Sequence, residues 1–276
     1  MTTQKLAGIL SLFLCIICLT SCNNDDNFSP ITLEYESPQY KFDNEKRSYT
    51  LTPFSEETTP LCIKGGDGTY KVTNENEKVV QVNYNNGKIT LKALGLGCAS
   101  IKIEDSSNNV YILSVAVEYR TYINNVITVK TIVKGDELKV KEKTELMQAL
   151  SNSYLIDKYV FTFMNAENSK GTVDLYYSDN NMKTGNFENE HIKLDEEDAI
   201  LIKDEYKLRD YYRMAIKEDN GKVIDTFYIT KDFLPLLDTR MNAHPLVKYC
   251  FVRDLTSQYK QDYPALENAY LIQLVN

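Results

Sequence analysis

Val79-Val80-Gln81-Val82-Asn83-Tyr84 and Lys88-Ile89-Thr90-Leu91-Lys92 flank Asn85-Asn86-Gly87. In an extended chain successive side chains point to opposite faces, so each run presents apolar residues on one side only. Asn-Gly tolerates the positive φ of a tight turn, so this stretch predicts a β-hairpin with one buried face. The same pattern repeats on either side of it. Leu61-Cys62-Ile63-Lys64 and Tyr70-Lys71-Val72 flank the turn Gly65-Gly66-Asp67-Gly68. Ile101 and Ile103 alternate with Ser100 and Lys102, and Leu113, Val115 and Val117 alternate after Asp105-Ser106-Ser107-Asn108-Asn109. Short strands separated by turn clusters predict a β-sandwich over residues 31–118.

These segments, with Gly95-Leu96-Gly97, Ala99-Ser100-Ile101-Lys102-Ile103-Glu104-Asp105 and Ser114-Val115-Ala116-Val117, resemble a bacterial Ig-like domain of the group 2 type. The resemblance covers about a third of the chain and implies a structural or adhesive module of cell-surface proteins, with no built-in active site. Cys98 interrupts the small-residue pattern of that family, and the stretch 32–52 departs from it. Antibody-like domains invite a disulfide between Cys62 and Cys98, and an exported compartment permits one. Alternation opposes it. If Leu61 and Ile63 face the core, Cys62 faces out, and Cys98 does the same beside Ala99, so the bond requires a bulge that turns one of them.

The 276 residues carry 31 Lys+Arg against 39 Asp+Glu, a net charge of −8 that argues against a nucleic-acid partner. At 43% hydrophobic residues the chain can bury cores for two domains, which excludes wholesale disorder. Tyrosine (20) outnumbers phenylalanine (10) and tryptophan is absent, a balance suited to half-exposed β surface.

At the start of the chain Lys5 precedes an apolar run over 6–19, the length of a signal-peptide core and too short to span a bilayer. It ends in Leu19-Thr20-Ser21-Cys22, which resembles the lipobox of bacterial lipoproteins. That resemblance implies a signal peptide over 1–21, a mature N-terminus at Cys22, and a membrane contact through acyl chains on Cys22. Residues 22–30 then read as a tether. Asp25-Asp26 reads either as solvated linker or as the surface-export signal it resembles in Bacteroides-like lipoproteins, which would place the protein on the outer face of the outer membrane. No later stretch is long and apolar enough for a second membrane segment.

Residues 119–276 predict a second, antiparallel β-rich domain, a barrel or a sandwich, with two or three short helices. Strands are expected over 126–133, 159–164, 172–177, 199–202, 211–217 and 223–229, the last two joined by the turn Glu218-Asp219-Asn220-Gly221. The stretch 141–152 places Leu146, Met147 and Leu150 on one face of a helix. Further helices are expected over 232–240 and 255–263, the latter capped by Asp254 or Thr256 and stopped by Pro264. Gly171-Thr172-Val173, and the ending with Asp254-Leu255-Thr256, Tyr259, Tyr263-Pro264 and Leu271-Ile272-Gln273, faintly resemble lipocalin-like domains of gut-bacterial lipoproteins.

No reaction motif emerges. His191 and His244 show neither metal-ligand spacing nor a nearby carboxylate partner along the chain, and both read as surface histidines. Gly65-Gly66-Asp67-Gly68 leads into a strand, whereas a nucleotide site requires a helix. Asp195-Glu196-Glu197-Asp198, with Asp204-Glu205, lacks the spacing of a calcium loop and reads as solvated. Tyr176-Tyr177, Tyr206 and Tyr211-Tyr212 could form an aromatic face for sugars or apolar ligands, with strand packing the simpler reading. The expectation is therefore a lipid-anchored envelope protein with a binding, adhesion or scaffolding role, without catalysis, cofactor or metal. Its second domain would take a glycan or protein ligand. The alternatives are a hydrolytic surface enzyme with an Ig-like accessory domain and a subunit of a surface assembly.

Overall fold

The computed structural model describes residues 29–153, 156–203, 206–231 and 247–276, so the lipobox with Cys22 and the stretch 232–240 lie outside the described residues. The protein is mainly β and divides into two compact units, the first ending at Glu118 and the second beginning at Tyr119.

The first unit holds β1 (Thr32–Tyr35), β2 (Ser48–Leu51), β3 (Leu61–Lys64), β4 (Tyr70–Asn74), β5 (Val80–Asn85), β6 (Lys88–Ala93), β7 (Gly97–Asp105) and β8 (Val110–Val117). They form two four-stranded sheets, ordered β1-β3-β6-β5 and β2-β8-β7-β4. The β5–β6 hairpin turns at Asn86 and Gly87, with φ of 47° and 73°, the left-handed pair that matches the twist of the flanking strands. Leu33, Leu61, Ile89, Leu91, Ile101, Ile103 and Leu113, inward-facing on alternate positions, are fully buried in the common core. Strand β2 runs parallel to β8, a pairing that alternation does not reveal. The Cys62–Cys98 disulfide is not formed. Cys62 lies on β3 in one sheet and Cys98 on β7 in the other, each outside the core and each a free thiol.

The second unit comprises β9 (Arg120–Lys134), α1 (Val140–Ser153), β10 (Ile156–Phe163), β11 (Lys170–Tyr177), β12 (Met182–Lys193), β13 (Ile200–Lys203), β14 (Tyr206–Leu208), β15 (Asp210–Lys217), β16 (Val223–Thr230), β17 (Tyr249–Asp254), α2 (Thr256–Tyr259) and β18 (Asn268–Val275). Eight of these strands close into an antiparallel barrel in chain order, β9-β10-β11-β12-β15-β16-β17-β18 and back to β9. Closure leaves no free edge. The interior is mainly apolar, while the outer faces of β11, β12 and β15 carry ion pairs such as Lys170–Glu188, Lys217–Glu188 and Arg213–Glu190. That polarity is the reverse of a membrane-spanning barrel.

Helix α1 closes one end of this barrel. Its Leu146 and Leu150 are fully buried against Val133, Leu255, Leu266, Ala269 and Leu271, and the Glu142 carboxylate accepts a bond of 3.0 Å from the Lys139 backbone N–H at its start. Met147, expected on the same face, is 37% exposed, because the helix buries a stripe narrower than its apolar sequence. The expected strand at 199–202 is not a stave. It pairs with β14 as a separate hairpin, and Ile202 and Leu208 cover the outward residues Tyr211, Cys250, Val252, Tyr270, Ile272 and Leu274. The helix expected over 255–263 shortens to α2, where Asp254 Oδ1 accepts from the Thr256 N–H at 2.9 Å.

Candidate functional site: the open mouth of the barrel

Within the barrel, side chains at alternate positions converge. Tyr159, Phe161, Phe187, Phe227 and Phe251 pack ring on ring, with Tyr159 and Phe251 centroids 5.0 Å apart and Phe161 and Phe187 centroids 5.3 Å apart. Gly171 makes room for them: a Cβ there would fall 1.9 Å from the Thr162 carbonyl oxygen and 3.0 Å from Phe187 Cε1. Toward the α1 end sit four polar groups. Arg253 Nε donates to Asp225 Oδ1 at 2.5 Å with both side chains about nine-tenths buried, and the Tyr159 hydroxyl donates to Gln273 Oε1. Burial pushes the Asp225 carboxyl up to about 6 even though Arg253 pulls it down, and burial likewise raises Tyr159 well above its ordinary value.

Above this packed floor the barrel opens into a recess of about 360 Å³. Phe161, Met214, Ile229 and Phe251 form its base, and Tyr122, Phe163, Tyr212 and Tyr249 its aromatic wall. Tyr122 meets Phe163 edge to face at 5.5 Å. Asn124, Glu167, Asn168, Asn189 and Lys231 add polar groups, and Lys231 Nζ lies 5.6 Å from the centre of the Tyr249 ring. Asn189 Oδ1 is buried, and among the described residues it has no hydrogen-bond partner. A buried acceptor without a donor costs free energy, on the order of 1–3 kcal/mol.

The loop between β10 and β11 is fixed before any ligand arrives. Asn165 Oδ1 accepts from the Ser169 and Lys170 N–H groups, at 2.9 and 3.0 Å, and Asn165 Nδ2 donates to Glu167 Oε2 and Ser169 Oγ. The Asn189 N–H donates to the Ser169 carbonyl at 2.6 Å, tying the loop to β12. Glu167 and Asn168 are thereby held over the recess, Asn168 with a φ of 55°.

At the rim, pairing of β12 with β15 places His191 Nε2 2.8 Å from Asp210 Oδ1, and the His191 ring lies 4.8 Å from Tyr212. A carboxylate partner for His191 was invisible along the chain because it arrives from a neighbouring strand. Of the tyrosines singled out by sequence, the Tyr206 side chain lies outside the described residues and the other four do not share one face. Tyr177 packs in the barrel interior, Tyr176 lies outside beneath Lys158, Tyr211 is buried under the β13–β14 hairpin, and Tyr212 alone of these four lines the recess. Glu196 of the acidic run pairs with Lys207 and Arg209; Asp204-Glu205 and His244 lie outside the described residues. Cys250 is buried, which pushes its thiol up to about 12 and leaves it unreactive. Sequence reasoning singled out Tyr212 but missed Asn189 and the rest of the lining, although Asn165 and the nearby Glu167-Asn168-Ser169 carried a turn signal that marks a barrel rim once closure is known.

The sandwich has a second recess, of about 350 Å³, between the edge strands β4 and β5, lined by Val72, Asn74, Val80, Val82, Tyr84 and Leu94 among others. No protein-family model and no curated protein matches the chain.

Proposed function

We propose that this is a lipid-anchored protein of the bacterial outer membrane that presents a small-molecule binding barrel, with the Ig-like sandwich as its structural module. The observation that carries the binding role is the mouth itself: an apolar base, an aromatic wall and a few convergent polar groups, one an acceptor with no described donor. The anchor rests on Leu19-Thr20-Ser21-Cys22 and the apolar run before it. Asp25-Asp26 supports the outward-facing leaflet.

Fractionation of cells carrying the native chain or Cys22→Ala tests the anchor. The native chain is expected in the membrane pellet and Cys22→Ala in the soluble fraction, and a Cys22→Ala chain that stays membrane-bound contradicts it. Protease treatment of intact cells is expected to remove both units; protection until the outer membrane is breached contradicts the surface location. The binding role is tested by placing Trp at the mouth: Asn189→Trp, folded by circular dichroism, is expected to abolish small-molecule binding that the native chain shows.

A further inference from the structure

We infer that the mouth of the barrel is a carbohydrate subsite for one or two sugar rings, closed to long acyl chains. This rests on the proposal that the mouth is a ligand site and adds the class of ligand.

The floor excludes the alternative that a barrel first suggests. A fatty acyl chain needs a channel along the barrel axis, but the axis here is filled. Phe161, Phe187, Phe227 and Phe251 are each less than 5% exposed, the Arg253–Asp225 pair lies beyond them, and Leu146 and Leu150 of α1 close the far end. What remains is a shallow recess of about 360 Å³, near the lower limit of small-molecule sites.

The lining of that recess suits hydroxyl-rich rings. A sugar hydroxyl both donates and accepts, and a carboxamide offers both partners; Asn124, Asn168 and Asn189 bring three to one small opening. Asn189 Oδ1 is a buried acceptor without a hydrogen-bond partner among the described residues, and Glu167 is an acceptor held in place by Asn165. The C–H face of a pyranose is apolar with outward partial positive charge, which favours the faces of Tyr122, Tyr212 and Tyr249. A purely apolar ligand would instead desolvate the amides that line the opening without giving them partners, at a cost in free energy.

The test is calorimetric titration of the soluble mature chain, made as Cys22→Ser, with maltose, cellobiose, N-acetyllactosamine and digalacturonic acid, and with decanoate and phenol as acyl and aromatic probes. At least one saccharide is expected to bind, and Asn189→Leu, which keeps the volume and removes the acceptor, is expected to weaken it about tenfold. Tyr212→Ala should weaken it as well, and decanoate should neither bind nor compete. If decanoate or phenol binds in an Asn189-sensitive manner while no saccharide does, the carbohydrate inference falls and the ligand-binding reading stands. If no probe binds, both fall. A saccharide that binds equally well to Asn189→Leu and Tyr212→Ala also overturns the inference, because its site is then elsewhere.

Discussion

Asp225 and Arg253 face one another across the barrel interior, and their balance sets a pH dependence that can be read with its sign. The carboxyl rises from 3.8 to about 6 because desolvation outweighs the attraction of Arg253. A raised value means that the folded state holds the proton more tightly than the unfolded chain. Stability from this group is therefore complete below about 4 and is lost as pH rises through about 6, by roughly 3 kcal/mol. Asp225→Asn keeps an acceptor for Arg253 and removes the titration. Urea unfolding of both proteins should show the variant gaining roughly 3 kcal/mol relative to the native chain between pH 4 and 7, whereas parallel curves would contradict the balance. Arg253→Met should behave oppositely, leaving a buried carboxylate alone and destabilising the barrel by about 3–5 kcal/mol at pH 7 and less at pH 5. At the mouth, Asn165 organises rather than touches the ligand. Asn165→Ala is expected to lower ligand affinity several-fold while reducing barrel stability by about 1 kcal/mol, and unchanged affinity would show that the loop needs no such fastening.

Element by element, the hairpins were the legible part of the fold. Gly87 has a φ of 73° and open space around it, so Gly87→Ala should cost about 1–2 kcal/mol through backbone strain alone, measured as the unfolding midpoint of the sandwich. Asn86-Gly87 announced that turn in the sequence because only the turn chemistry was at issue. Strand β12 was illegible for the opposite reason. Its inward positions include Gly185, Phe187 and Asn189, so the apolar alternation breaks where the chain makes space for aromatic rings and where it lines the recess. The strand that carries the candidate site thus lost its signature to the site. Strands β17 and β18 are buried on both faces, one by the barrel interior and one by the β13–β14 hairpin, giving a near-continuous apolar stretch without period two. Helix α1 showed its stripe plainly, and its energetic weight follows: Leu146→Ala or Leu150→Ala should destabilise the barrel by about 2–5 kcal/mol, read in denaturant unfolding.

For the whole molecule, each unit has its own core, the sandwich around Leu33, Leu91 and Ile103 and the barrel around Tyr159, Phe161 and Phe251. Calorimetry should therefore resolve two transitions, with Leu146→Ala lowering the barrel transition and sparing the other. The choice between barrel and sandwich was not available to sequence reasoning, because closure depends on β18 meeting β9, a pairing between the two ends of the second unit. The recess follows from that closure. Its constituents come from β9, β10, β12, β15, β16, β17, the β10–β11 loop and Lys231 just after β16, so no linear motif could announce it. Methionine methyl NMR tests the central claim most directly, since Met214 forms the base of the recess and is fully buried, while Met147 and Met182 are exposed elsewhere. Titration of the Cys22→Ser chain with the four saccharides is predicted to shift the Met214 methyl with saturation for at least one of them and to leave Met147 and Met182 unmoved, while decanoate leaves all three unmoved. A Met214 signal indifferent to every probe, or shifts confined to Met147 and Met182, would contradict a ligand site in the mouth of the barrel.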